Sequence, residues 1–398
     1  MAAIRVLVVD DSPFMRHTVA RLIGEADGIV VVGTAGDGEA GLRETMRLHP
    51  DIITLDVEMP VLDGLGMLRR LMVECPTRVV MLSSLTAAGA AVTLDALAAG
   101  AVDFVLKPSG SLSVDMVRVR DDLVARIRAA AAIPEAAFLA HRLAARSRAP
   151  SAAGWRGAAA PGPRPVTDGP GTEPPAASGR PDQPAVEPAR RLVVVASSTG
   201  GPGALQVLVG GLPGRLGAAM LIVQHMPPHF TASLAARLDT LSGLPVREAA
   251  VGDVLAEDQV LVAPGGTHLL LTPRGRVELA ALAPVNGVRP AADVTLQALA
   301  PIWGERALLV VLTGMGADAR EGARALRAHR GTVYAQDERT SIVFGMPGAV
   351  IAAGLAEQVL PLPEIPAAIA RWCGAGDAWA GDGERSVARA AMALPRVG

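Results

Sequence analysis

The chain has 398 residues, half of them hydrophobic and 3% aromatic, enough for two domains with cores built mainly from Val, Leu, Ile and Ala. With 37 basic and 39 acidic residues the net charge is −2, which gives no electrostatic reason to expect nucleic acid or an anionic membrane as the main partner. No run reaches the ~18 apolar residues of a membrane span, no secretory leader is recognisable at the N-terminus, and Cys75 and Cys373 stand at no metal-ligand spacing; a cytoplasmic protein with reduced thiols and no membrane insertion is expected.

Along the first 125 residues or so, short apolar runs rich in β-branched residues recur at Ile4–Val9, Ile29–Val32, Ile52–Leu55, Val79–Leu82 and Val102–Leu106. Near-continuous runs of this kind suit strands buried on both faces of a parallel sheet. Between the first two, Phe14, Met15, Thr18, Val19, Leu22 and Ile23 form a helical stripe, opened by Ser12-Pro13. Five βα units predict a doubly wound (βα)5 α/β domain.

Charged and polar residues then fall at successive strand ends. Asp10 and Asp11 follow the first run, Asp56 the third, Ser83 the fourth and Lys107 the fifth. The carboxyl ends of parallel strands share one edge, so these side chains converge on one crevice. Three clustered carboxylates repel one another unless a cation intervenes, and hard oxygen ligands with open positions suit Mg²⁺. Asp56 can then attack a phosphoryl group, with Ser83 and Lys107 neutralising the added oxygens.

These residues, with Val9-Asp10-Asp11-Ser12, Asp56-Val57-Glu58-Met59-Pro60, Asp63-Gly64, Ser83-Ser84 and Asp103-Phe104-Val105-Leu106-Lys107-Pro108, resemble the response-regulator receiver family. The resemblance covers residues 4 to about 125. It implies phosphorylation of Asp56 by a histidine kinase, with Mg²⁺ held by Asp11, Asp56 and the backbone carbonyl of Glu58. Phe104 occupies the position of a switching aromatic in that family.

Composition divides the chain into 1–127 (receiver), 128–190 (linker), 191–375 (a second domain) and a tail, 376–398. The linker is dense in Ala, Pro, Gly and Arg and, from Arg148 on, has almost no periodic apolar residues, so it reads as flexible; the Ala-rich stretch before Arg148 could prolong a helix. Strand-like runs resume at Leu192–Val195 and recur at Met220–Val223, Gln259–Ala263, Leu308–Leu312 and Thr332–Ala335. Helical stretches include Thr231–Leu241 and Arg320–His329. A Rossmann-like α/β hydrolase domain with a mostly parallel sheet is expected.

In this second domain, Val193–Ala196 runs into Ser197-Ser198-Thr199-Gly200-Gly201. A strand ending in a small-residue turn exposes a serine near backbone amides that could hold an oxyanion, or equally a phosphate. His225 follows the second strand in Gln224-His225-Met226-Pro227-Pro228, and Asp318 follows the fourth in Thr313-Gly314-Met315-Gly316-Ala317-Asp318. Serine, histidine and aspartate at three strand ends can form a nucleophile, base and orienter. His229 and His268 compete as bases, and Asp293 and Asp337 compete as orienters. The order Ser…His…Asp and the Ala196 that breaks G-x-S-x-G argue against an α/β-hydrolase fold.

With Ala263-Pro264-Gly265-Gly266-Thr267-His268, Leu312–Gly316, Ala335-Gln336-Asp337-Glu338 and Val343-Phe344-Gly345-Met346-Pro347 added, the whole chain outside linker and tail resembles the chemotaxis protein-glutamate methylesterase family (CheB-type). The resemblance implies hydrolysis of glutamate γ-methyl esters on chemoreceptors, with release of methanol and with deamidation of receptor glutamines. It assigns Ser198 as nucleophile, His225 as base and Asp318 as orienter. The Thr199 and Met315 amides are candidate oxyanion donors, and the esterase step needs no cofactor. It also implies that the receiver blocks the catalytic cleft until Asp56 is phosphorylated.

Three departures from the family pattern stand out: Ser197 beside the nucleophile in place of alanine, Ala196 in place of the usual glycine, a replacement expected to tighten the turn, and no glycine after Asp318. His268 and the Pro264-Gly265-Gly266 loop read equally as substrate contacts or as a turn with a buried histidine. A DNA-binding output would need a basic helical module, and a nucleotide site a P-loop or G-x-G-x-x-G turn; the sequence has neither at these places.

Overall fold

The structure is a computed structural model and describes residues 3–107, 113–148 and 189–375. Residues 149–188 of the expected linker and the expected tail lie outside the described residues.

The N-terminal domain runs β1 (Ile4–Val9), α1 (Pro13–Gly24), β2 (Ile29–Ala35), α2 (Gly38–Leu48), β3 (Ile52–Asp56), α3 (Gly64–Glu74), β4 (Arg78–Ser83), α4 (Ala87–Ala98), β5 (Asp103–Leu106) and α5 (Ser113–Ala131). The sheet is parallel in the order β2-β1-β3-β4-β5, so the chain reverses direction between β1 and β3. That switch point is where Asp10 and Asp56 emerge. Each of the first four helices opens on a side-chain cap: Ser12, Asp37, Asp63 and Thr86 accept backbone N–H bonds at 2.6–3.4 Å.

Residues 135–148, assigned to the linker by composition, are instead helical: α6 (Glu135–Arg148) follows α5 closely. Phe138 is buried, with the Arg78 guanidinium 5.0 Å from its ring centre. One buried aromatic gives the segment an anchor that an average over Ala and Arg conceals.

The second domain runs β6 (Leu192–Ser197), α7 (Gly201–Gly210), β7 (Ala219–Gln224), α8 (Phe230–Asp239), β8 (Val246–Glu248), β9 (Val260–Val262), β10 (His268–Leu271), β11 (Val277–Ala280), α9 (Ala292–Trp303), β12 (Ala307–Val311), α10 (Arg320–Ala328), β13 (Thr332–Gln336), α11 (Met346–Ala352), β14 (Gln358–Leu360) and α12 (Ile365–Cys373). Seven parallel strands lie in the order β14-β13-β12-β6-β7-β9-β8, and β10 and β11 form a separate antiparallel hairpin. The switch point falls between β6 and β12, beside the two turns that carry Ser198 and Asp318.

Alternation along β6 divides the core. Leu192, Val194 and Ala196 face α9 and α10, while Val193 and Val195 face α7 and α8. Ala196 is therefore a buried strand residue, not part of the turn.

The receiver packs on the α7/α8 side through α4 and β5. Phe104 stacks on Phe230 with ring centres 4.6 Å apart and planes 8° from parallel. Arg237 pairs with Asp95, and the Thr199 hydroxyl donates to the Asp103 carboxylate. One apolar cluster thus runs from the receiver sheet into the second domain. No helix among the described residues is long and apolar enough to cross a membrane.

Candidate functional site

The receiver edge gathers the expected set. Asp10, Asp11 and Asp56 each present a carboxylate oxygen, all within 4.8 Å of one another. Lys107 Nζ lies 2.6 Å from Asp56 Oδ2 and 3.0 Å from Asp10 Oδ2. Glu58 contributes its backbone N–H to Asp56 Oδ1 at 3.3 Å. Ser83 is buried at the end of β4, where its hydroxyl accepts a bond from Thr93. Burial pushes Asp56 up to about 6, against the opposing pull of Lys107, and the Asp10 charge pushes the same way. Burial also works against the Lys107 charge, but the two carboxylates outweigh it and raise the ammonium. Three hard oxygens, one of them on a carboxylate that is costly to ionise, fit a small divalent cation.

At the second sheet the turn after β6 is shaped by close approach. Gly200 has φ 76°, a left-handed conformation, and a Cβ on Gly314 would stand 2.9 Å from the Ser198 Cβ. The Ser198 amide donates to the Thr313 carbonyl at 3.1 Å, and the Ser198 carbonyl accepts from Gly201 N–H (2.7 Å) and Gln224 Nε2 (3.0 Å). Thr313 donates its hydroxyl to the Thr199 carbonyl at 2.9 Å, and its own amide is held by Gln336 Oε1 at 2.7 Å. Gln224, Thr313 and Gln336 thus clamp the serine turn; their signal in the sequence is only a polar residue at or just past the end of an apolar run.

His225 follows β7, and its amide bonds the Ser197 carbonyl, which ties it to the serine strand. Its Nε2 lies 2.6 Å from Asp318 Oδ2, which leaves Nδ1 as the nitrogen open to a nucleophile. Among the described residues, Ser198 Oγ makes no hydrogen bond to the ring. Asp318 is 2% exposed. Its oxygens also accept the N–H groups of Ala292 (2.6 Å) and Asp293 (2.9 Å) at the start of α9. Burial pushes this carboxyl up, but the bond to His225 and the two amides hold it below the usual range. The amides of Thr199 and Met315 donate to no other protein group among the described residues.

The competing residues are placed elsewhere. His268 is fully buried, accepting the Ala291 N–H at Nδ1 and facing the Ala283 carbonyl with Nε2, so both nitrogens serve the fold. His229 is exposed at the start of α8. Asp337 closes its own turn on Thr340. Asp293 touches Asp318 rather than His225. Ser197 points away from the nucleophile and donates to Gln224 Oε1 at 2.6 Å. The missing glycine is explained at Ala319, which sits at φ 74° where glycine would be unstrained.

The contact between Asp103 and Thr199 was not foreseen. Arg126 holds the same carboxylate at 2.6 Å, so a receiver side chain is aimed at the residue beside Ser198.

Comparison with known proteins gives the family. A CheB methylesterase family model matches residues 193–369, and a response regulator receiver domain model matches residues 6–115. A protein of Symbiobacterium thermophilum named "Protein-glutamate methylesterase/protein-glutamine glutaminase" is 49% identical over 94% of this chain and 98% of its own. A protein of the same name from Pyrococcus abyssi is 40% identical over 92% and 93%. The solved catalytic domain of Thermotoga maritima CheB methylesterase is 44% identical, covers 46% of this chain and 97% of its own, and has a TM-score of 0.44. The chain belongs to the CheB methylesterase family, joined to a receiver domain.

Proposed function

We propose that the chain hydrolyses glutamate γ-methyl esters on chemoreceptors, with Ser198, His225 and Asp318 as its machinery, and that phosphorylation of Asp56 switches it on. The observation that carries the esterase reading is the 2.6 Å contact between His225 and Asp318 at the sheet edge that also bears Ser198. His225 Nδ1 takes the Ser198 proton as Oγ attacks the ester carbonyl. The oxyanion gains the Thr199 and Met315 amides, and the returned proton leaves with methoxide as methanol. Water, deprotonated by the same nitrogen, then cleaves the acyl-enzyme and frees the glutamate. A glutamine side chain follows the same path and loses ammonia. The open Ser198–His225 contact suits a resting site that tightens on substrate.

The switch reading is supported by Asp103 and Phe104, which lie on the short strand that Lys107 directly follows. A phosphoryl group on Asp56 draws on Lys107, and β5 carries the two side chains that hold Thr199 and Phe230. Mg²⁺ on Asp11, Asp56 and the Glu58 carbonyl would neutralise phosphoryl oxygens, and a histidine kinase would supply the phosphoryl group.

The test is methanol release from methylated receptor by wild type, Ser198→Ala and Asp56→Ala, with and without a small phosphodonor plus Mg²⁺. Ser198→Ala should be inactive, and Asp56→Ala should keep basal release but lose the phosphodonor response. Near-normal release by folded Ser198→Ala sinks the nucleophile assignment. A raised rate when Asp56→Ala meets phosphodonor sinks the switch.

A further inference from the structure

Asp318 and Asp293 cap each other's helices. Asp318, just before α10, accepts the first amides of α9, including that of Asp293. Asp293, in the first turn of α9, accepts the Gly322 N–H of α10 at 2.7 Å through Oδ1. Its Oδ2 faces Asn286 Nδ2 at 3.4 Å. Asp293 is thus tied to Asp318 through its own amide and to α10 through its carboxyl, which sets a second buried carboxyl behind Asp318. Asp293 is 4% exposed, yet it lines a cavity of about 300 Å³ with Asn286, Gln297, Arg320 and Glu321, which gives solvent protons a route to it.

We propose that Asp293 is a positioning residue of the esterase site which, through Asp318, sets the pH at which His225 becomes a free base. The proposal rests on the triad read above. Burial pushes the Asp293 carboxyl up to about 6; the Asp318 and Glu321 charges add to this, and the Gly322 amide opposes it. Above that pH a second negative charge stands behind Asp318 and strengthens its hold on the imidazolium. Below it that charge is lost and the hold weakens. The two carboxyls therefore titrate as a pair.

The other charged groups nearby are otherwise engaged. Arg320 and Arg324 on α10 both pair with Glu321. Arg289, before α9, binds the Leu282 carbonyl. His268 on β10 is turned to Ala291 and Ala283.

Asp293→Asn keeps an acceptor for Gly322 while removing the charge. Two measurements on the full chain read the effect. One is the acid limb of kcat/KM for methanol release; the other is the NMR titration of the His225 ring in the Ser198→Ala background, which needs no substrate. Asp293→Asn should move both to lower pH by about one unit, as expected for loss of one nearby partly buried charge. Asp293→Ser, which makes the same charge change with a small acceptor, should move them the same way if the amide folds poorly. A lower rate at every pH, with limb and titration unmoved, means that Asp293 only supports the fold and overturns the inference. A shifted titration together with a wild-type chain that releases no methanol from methylated receptor upholds this link and sinks the esterase reading instead.

Discussion

Asp56 at the end of β3 and Asp318 in the turn after β12 stand at comparable places in two parallel sheets, both about 2% exposed, yet they titrate in opposite directions. What differs is what surrounds them. Asp56 has one long amide contact and a lysine that it shares with Asp10. Asp318 has two short amide bonds and the imidazole. Equal burial thus leaves one carboxylate that gains from an incoming cation or phosphoryl group and another already fixed as an anion. The helices differ in the same way. Receiver helices α1 to α4 are closed by their own side chains, whereas α7 to α10 have no local side-chain cap, and α9 gives its first amides to Asp318 while α10 gives the Gly322 amide to Asp293.

The contrast can be broken most severely at the fixed anion. Asp318→Asn should lower methanol release by about a thousandfold or more, because the imidazole loses the partner that orients it and stabilises its charge. Phosphorylation of Asp56 should survive, and labelling with a phosphodonor checks it. Equal loss of both functions would mean that the domains unfold together.

A smaller effect is expected where the two edges meet. Stacked aromatics contribute about 1 kcal/mol beyond their burial, so Phe104→Ala should raise basal methanol release at least about fivefold and shrink the response to phosphodonor. An unchanged basal rate would separate the docked geometry from inhibition.

At the receiver edge the comparison sharpens through pH. The folded-state pKa of Asp56, about 6, lies above the ordinary carboxylate value of ~3.9, so folding favours the protonated form. That contribution is present below pH ~4 and lost as pH rises through about 6. The urea midpoint of wild type should therefore fall relative to Asp56→Asn across this range, and Mg²⁺ should flatten the difference by favouring the ionised form. Parallel curves without Mg²⁺ would remove burial as the governing term.

The smallest change is expected at Ala319. Glycine relieves a left-handed strain of about 1–2 kcal/mol but loosens the unfolded chain, so Ala319→Gly should be neutral or stabilising by up to about 1 kcal/mol. Thermal denaturation reads this directly, and clear destabilisation would mean that the Ala319 methyl, fully buried, packs better than its backbone costs.

Much of the fold and the sites was legible in the sequence because both rest on short-range pattern. Buried parallel strands need unbroken apolar runs, and the ends of such strands share an edge, so Asp10, Asp56, Lys107, Ser198, His225 and Asp318 could be collected without coordinates. Other elements carried weaker signals. The edge strand β14 has three residues with Val359 half-exposed, and the β10–β11 hairpin has four residues a side; neither is long enough for a periodicity to stand out. Tertiary structure alone decided that Ser197 turns to Gln224, that His268 serves the backbone, that Asp103 reaches Thr199, and that Asp293 and Asp318 cap each other's helices. Each of these is a hydrogen bond between groups fifteen or more residues apart, and its existence depends on distance and direction in the packed chain, which composition and spacing do not encode.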